Sequence, residues 1–285
     1  MASGKRLRNP ITTSRILLYI TIIFVISYFF IPFLWMVITS LKSNAQVFTS
    51  PPVLIPKPIK FENYIEVFKK TMFGRYLLNT IILSIIIIIG TLFSNSLIAY
   101  GFSRIEWVGR EAVFFILLLT LLLPSQVTLI PLFVTYKKLG LIGGGLKGYL
   151  PLILPYYFGN AYNTFLLRQF FINIPTELSE AAKIDGCSEF KIFYKIIIPL
   201  SKPALITVSL LTLINVWNSF LEPLVYLQDE KLYTVSLGLA QLQGKFVTQW
   251  NQVMAASTVT VIPILLVFLF AQKYFVEGVS ITGIK

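Results

Sequence analysis

Six stretches of this chain are long enough to cross a bilayer and carry no charge at their centres. They run over residues 16–38, 76–102, 112–136, 149–167, 204–227 and 254–271. A helix needs about 20 mainly apolar residues to span the hydrocarbon core. No water reaches the backbone there, so such stretches are expected to be helices that satisfy their own amides. The 285 residues are 56% hydrophobic and only 13% charged, with a mean hydropathy of +0.78, which sets the chain apart from soluble domains. The expectation is an all-α, polytopic membrane protein with six transmembrane helices, forming a single unit over residues 1–285. Pro32, Pro124, Pro131, Pro155 and Pro263 interrupt several spans. Such breaks are tolerated where neighbouring helices or a water-filled path satisfy the freed carbonyls. Lys5, Arg6 and Arg8 precede an apolar run too long for a signal peptide, with no small-residue cleavage pattern after it. That run is read as a retained first span.

The formal net charge is +12. Basic residues cluster at the ends of the apolar runs, which suits contact with anionic lipid head groups. No basic face alternates with exposed aromatics, so nucleic acid is not an expected partner. With no histidine and only Cys187, neither a zinc site nor an internal disulfide is expected. Lysine and arginine favour the cytosolic side of a membrane. The N-terminal tail holds Lys5, Arg6, Arg8 and Arg15. The link after the second span holds Arg104 and Arg110, and that after the fourth holds Arg168, Lys183, Lys191, Lys195 and Lys202. Alternate links are poorer, apart from the long segment before residue 76, where the rule weakens. Both termini are expected in the cytosol, together with residues 177–203.

That segment abandons the apolar habit: ELSEAAKIDGCSEFKIFYKIIIPLSKP. It is too polar for lipid and too patterned for a slack loop, and it reads as two short helices meeting at Gly186. Thr176 is placed to cap the first, with Glu177 and Glu180 in its opening turn, where the helix dipole favours acids. Gly186 permits a sharp reversal. Asp185 and Ser188 are both candidates to cap the second helix. Phe190, Phe193, Tyr194 and Ile197 recur at helical spacing and are expected on one face, with Lys191 and Lys195 on another. Pro199 is expected to stop the helix.

Glu180-Ala181-Ala182, Asp185-Gly186 and Pro199-Leu200 resemble the EAA loop of ABC importer permeases. The likeness covers nearly the whole chain. Its carbohydrate-uptake branch, typified by the smaller permease of maltose-type importers, is matched at Glu62-Asn63-Tyr64, at Trp217-Asn218 and at Gln272-Lys273-Tyr274-Phe275, while the final Gly283-Ile284-Lys285 departs from the usual ending. The resemblance implies the type I ABC importer permease fold, with residues 175–199 as a cytosolic coupling helix seated in a cleft of an ATPase. It makes Glu180, Ala181, Ala182, Asp185, Gly186, Phe190 and Pro199 the coupling set. Glu180 would pair with a basic residue of the cleft, and the two alanines would let the helix sit close. It further implies a second permease, two ATPase subunits that hold ATP and Mg, and an extracellular solute-binding protein delivering a sugar or oligosaccharide. The setting would be the plasma (inner) membrane of a prokaryote. No cofactor or enzymatic activity is expected of this chain: it has no GxxxxGK[ST] phosphate loop, and Gly244-Lys245 is followed by Phe246.

Candidates for the substrate path are Trp217, Asn218, Glu222, Asn95 and Asn163. Aromatic faces stack on the C–H faces of pyranose rings, and amides bond to hydroxyls. Trp217 equally suits helix packing, and asparagines equally suit bonding between helices. Glu222, near the outer end of the fifth span, is either a functional acid or an interfacial, solvated one. The same elbow would serve a permease for a polyamine, phosphate or peptide. An ion-coupled secondary transporter would call for ionisable residues within the spans and inverted repeats, and a polytopic membrane enzyme for clustered acids, bases or metal ligands.

Overall fold

Small residues along one helix organise the packing of the rest. The computed structural model describes residues 13–243 and 249–281, and among these every regular element is helical. Gly244, Lys245 and Gly283 to Lys285 lie outside the described residues. α1 (Thr13–Ser40) runs unbroken through Pro32 and presents apolar side chains outward around most of its circumference. α2 (Asn44–Val47) and α3 (Glu62–Lys70) follow. Here the Glu62-Asn63-Tyr64 motif serves as a clasp. Asn63 is buried; its Nδ2 donates to the carbonyls of Ser40 (2.7 Å) and Lys42 (2.8 Å), and its Oδ1 accepts from Asn251 (2.9 Å). The Tyr64 hydroxyl lies 2.6 Å from Ser40 Oγ, and the Lys42 ammonium sits over the Trp35 ring.

α4 (Phe73–Ser103) is the central strut, packed against several later helices. Its buried positions include Thr80, Ser84, Gly90, Thr91, Ser94, Asn95 and Ala99. Small residues let helix backbones approach in a membrane. Gly90 does so against the Tyr157 ring, whose hydroxyl donates to the Ile86 carbonyl at 3.2 Å.

Three of the predicted spans are broken. Residues 112–136 divide into α5 (Arg110–Leu119) and α6 (Ser125–Lys138), which meet at 96°. Pro124 is the cause: the residue before a proline is barred from helical geometry, and Leu123 is extended at ψ 117°. Residues 149–167 divide into α7 (Leu150–Tyr157) and α8 (Ala161–Ile172), separated by Gly159 at φ +90°. α9 (Thr176–Ile184), α10 (Glu189–Ile192) and α11 (Ile198–Leu200) form the polar segment. α12 (Lys202–Asn218) ends where Ser219 turns extended, so the predicted span 204–227 resumes only as the short α13 (Leu221–Tyr226). α14 (Val235–Gln243) lies against α4, and α15 (Trp250–Ile281) runs through Pro263 and packs on α1, α3 and α12. By length and composition α1, α4 and α15 can each cross a membrane as single helices. Among the described residues two bent pairs, α5 with α6 and residues 189–200 with α12, bring the number to as many as five if each pair counts as one span.

Candidate functional site

The segment 175–199 forms a rigid elbow whose local chemistry differs from the sequence expectation at several points. Pro175, not Thr176, holds the N-cap position of α9, and Thr176 is already helical with no capping bond. The proline ring fixes φ and starts the helix one residue early. α9 ends in a Schellman turn: Cys187 N–H donates to the Ala182 carbonyl at 2.9 Å and Gly186 N–H to that of Lys183 at 3.0 Å. Gly186 stands at φ +72°, and a Cβ built there would meet nothing within 4 Å. Glycine is therefore required by the backbone and not by crowding. Ser188 caps α10, its Oγ accepting from Lys191 N–H at 3.4 Å, whereas Asp185 closes α9 as its C-cap.

Pro199 does not stop the helix. The chain widens into a π-turn over Phe193–Ile197, with Ile198 N–H reaching back to the Phe193 carbonyl, and passes through Pro199 in α11. The wider turn accommodates a ring that offers no N–H. The break comes at Ser201, and α12 leaves at 77°. The expected apolar face is divided. Ile192, Phe193 and Ile197 are buried, while Phe190 (67% exposed) and Tyr194 turn outward.

The outer surface of the elbow carries Glu180, Ala181, Asp185, Gly186 and Phe190, with Pro199 exposed farther along. Leu178 and Ile184 join them, Ile184 at 87% exposure. Ala182 faces inward and packs with Phe171, Ile174 and Ile192, so its small size serves the joint beneath the elbow. Ile184 lies within the predicted segment yet escaped the sequence reading, because one aliphatic residue in a helix of mixed pattern does not declare its direction.

The elbow is bonded to the spans through groups far apart in the chain. Glu189 accepts from Lys183 Nζ (2.7 Å) and from the Tyr100 hydroxyl near the end of α4 (2.6 Å), so it ties both arms to the strut. The Lys183 ammonium, and secondly the Tyr100 hydroxyl, hold the Glu189 carboxyl below the ordinary carboxylate range. The Phe193 ring packs on Tyr100 with centroids 5.1 Å apart. Arg104, just past α4, donates to the carbonyls of Phe171 and Ile174. Arg168 donates to the Phe102 carbonyl (3.1 Å) and to both oxygens of Glu111 (2.8 and 2.9 Å), with its guanidinium over the Phe114 ring. The ends of α4, α5 and α8 are thus fastened together where the elbow is attached. The two Glu111 oxygens share one guanidinium nitrogen, Nη2, while Nε holds the Phe102 carbonyl.

Away from the elbow, the broken helices line an open recess of about 560 Å³ whose walls include Asn160, Asn163, Asn215, Asn218 and Glu222. A second chamber, about 320 Å³, shares Tyr156, Asn160 and Glu222 with it and reaches the bend between α5 and α6. Asn163, Asn218 and Glu222 therefore meet, as candidates for one path would. Asn95 and Trp217 do not join them. Trp217 is buried with Val67, Phe73, Val235, Ala255 and Ala256, and its carbonyl accepts from Ser236 Oγ at 2.7 Å. Asn95 is fully buried; its Oδ1 accepts from Asn160 N–H (2.7 Å) and Thr164 Oγ (2.9 Å), which satisfies the backbone freed by the break before α8. Asn160 in turn caps α8 through Tyr162 and Asn163 N–H. Asn215 was missed, although residues 215, 218 and 222 fall at helical spacing. A packing role for Trp217 follows from its bulk, which the short side chains of Ala255 and Ala256 accommodate.

A model of the family described as "Binding-protein-dependent transport system inner membrane component" matches residues 95–281. The arabinooligosaccharides transport system permease protein AraQ of Halalkalibacterium halodurans is 31% identical over 284 residues, covering 99% of each chain. The sn-glycerol-3-phosphate transport system permease protein UgpE of Pectobacterium atrosepticum is 36% identical over 243 residues, covering 82% of this chain and 85% of that one. A chain in the crystal structure of a bacterial ABC transporter involved in the import of the acidic polysaccharide alginate superposes with a TM-score of 0.79 at 27% identity, covering 93% of this chain and 98% of that one.

Proposed function

The chain belongs to the family of binding-protein-dependent transport system inner membrane components, and we propose that it is one of two permeases in an ATP-driven saccharide importer. On this reading it is a transport component, and hydrolysis takes place on two separate ATPase subunits that hold ATP and Mg. A second permease completes the path, and an extracellular solute-binding protein delivers a sugar or oligosaccharide. The chain lies in the plasma (inner) membrane of a prokaryote, against lipid, with both termini and the elbow in the cytosol. The charge pattern of the links supports that orientation.

One observation carries the reading: an elbow with exposed Glu180, Ile184 and Phe190 is tied by Glu189 to Tyr100 at the end of α4, and Arg104 and Arg168 bind that same end to α8, the helix that brings Asn163 to the cavity. Burial in an ATPase cleft would contribute at most about 1.5–3 kcal/mol for Ile184, the most exposed of Ile184, Phe190 and Leu178 at 87%, and less for Phe190 and Leu178, which are already partly covered. Glu180 would add a charge-assisted pair. When the ATPases close on ATP, the elbow moves as a body with α4 and α8, and the path changes from inward-facing to outward-facing. ATP and delivered solute each favour one of two global states. The saccharide cargo is supported by the amide- and phenol-lined cavity and by relatives named for oligosaccharide transport.

The test is assembly and uptake. The wild-type chain should co-purify with its cognate ATPase and support vanadate-sensitive oligosaccharide uptake, and Ile184→Asp should lose both while still inserting in the membrane. Retention of the ATPase by Ile184→Asp, or uptake that persists after deletion of the ATPase gene and collapses with the ion gradient, would refute the proposal.

A further inference from the structure

Relatives of this chain are named for neutral and for anionic cargo alike, so kinship leaves the charge of the solute open, whereas the cavity does not. Building on the saccharide-importer reading, we propose that Glu222 makes this permease selective for uncharged saccharides and against uronate oligomers and sugar phosphates.

Glu222 stands where the two chambers meet and, of the three residues that line both (Tyr156, Asn160 and Glu222), it is the one acid. Its side chain is open to that space. No lysine or arginine lines either chamber among the described residues; the remaining polar groups are amides, hydroxyls and phenols. The Ser219 hydroxyl donates to Glu222 Oε2 at 2.7 Å and fixes the carboxylate at the start of α13. A solvated acid in the first turn of a helix is commonplace on a protein surface. This one instead stands in a recess among asparagines, without a counter-cation in the lining. A carboxylate held there accepts charge-assisted hydrogen bonds donated by sugar hydroxyls. A second carboxylate or a phosphate at the same place meets like charge at short range, with no cation in the lining to offset it. Asn163 and Asn215 supply both donors and acceptors and discriminate little by charge. Glu222 is therefore the residue that rejects, and rejection is half of specificity.

The experiment uses the assembled importer, both permeases with both ATPases, in detergent without the binding protein, so that the binding protein's own choice does not enter. Saturation-transfer NMR is recorded with xylotriose, maltotriose, arabinotriose and trigalacturonate at equal millimolar concentration. At least one neutral trimer should give a signal at least tenfold stronger than trigalacturonate. Glu222→Gln should narrow that ratio to within about threefold, and Glu222→Lys should invert it, with thermal unfolding used to verify that both variants are folded. Equal signals from neutral and acidic trimers, as a cation supplied by the second permease would produce, overturn the proposal. So do a ratio unchanged in Glu222→Lys and the lack of any neutral signal in the wild type. Vanadate-sensitive uptake by cells separates the two readings: uptake without charge selectivity sinks the Glu222 proposal alone, and no ATP-dependent uptake sinks both.

Discussion

Replacement of Gly186 by alanine tests the elbow through its backbone alone. The added methyl would meet nothing within 4 Å, so packing contributes no penalty. The cost comes from φ +72°, the left-handed region, where an L-residue loses about 1–2 kcal/mol relative to glycine. If docking requires the Schellman turn, that energy is lost from the association with the ATPase, an affinity decrease of about 5- to 30-fold. Asparagine tolerates the left-handed region and should retain most of the affinity, whereas valine, branched at Cβ, should lose more than alanine. The measurement is the dissociation constant of the cognate ATPase from the purified permease pair, together with ATP hydrolysed per solute imported. The expected order of affinity is glycine, asparagine, alanine, valine. A valine variant that binds within twofold of the wild type would refute the reasoning, because the turn would then be irrelevant to docking. A valine variant that fails to reach the membrane would be set aside in favour of the alanine and asparagine pair, whose order must still hold.

Tyr100→Phe removes the hydroxyl that bonds Glu189 while sparing the ring packed on Phe193. ATPase docking should survive, and ATP consumed per solute should rise about two- to fivefold; an unchanged stoichiometry would show that this joint does not transmit motion. Gly90→Ala drives a methyl into the Tyr157 ring and should destabilise the helix pair by about 1–3 kcal/mol, seen as a lower thermal midpoint in detergent and relieved by adding Tyr157→Ala. Asn63→Ala leaves two buried carbonyls and the Asn251 amide without their partner and should cost about 3 kcal/mol, read as faster proteolysis in the segment between α1 and α3.

The long helices were legible from composition because α1, α4 and α15 bury their polar backbone by length alone. The breaks were less so. Pro124 announces one of them through its own chemistry, but the gap before α8 is held open by Asn95, 65 residues away, and no local pattern encodes that bond. The elbow was visible as a polar island, and Gly186 was read for the right reason. The division of its apolar face was not foreseen, because helical spacing groups Phe190 with Phe193 and Tyr194 but does not say which of them the neighbouring spans cover. Glu189 looked like an ordinary charge in a basic stretch, since its partner Tyr100 lies 89 positions earlier. The candidate path residues differ in direction: Asn218 faces the recess, and its neighbour Trp217 turns into the packing.

α1 stands apart from all of this. None of the 18 most apolar consecutive residues of its candidate span is buried, and it leans mainly on α15. Its 26-residue stretch from Arg15 to Ser40 is about 39 Å long, roughly 10 Å more than a typical hydrocarbon core. The surplus can be absorbed by tilt. Variation in bilayer thickness would then be taken up by a peripheral float, leaving the walls around Glu222 undisturbed.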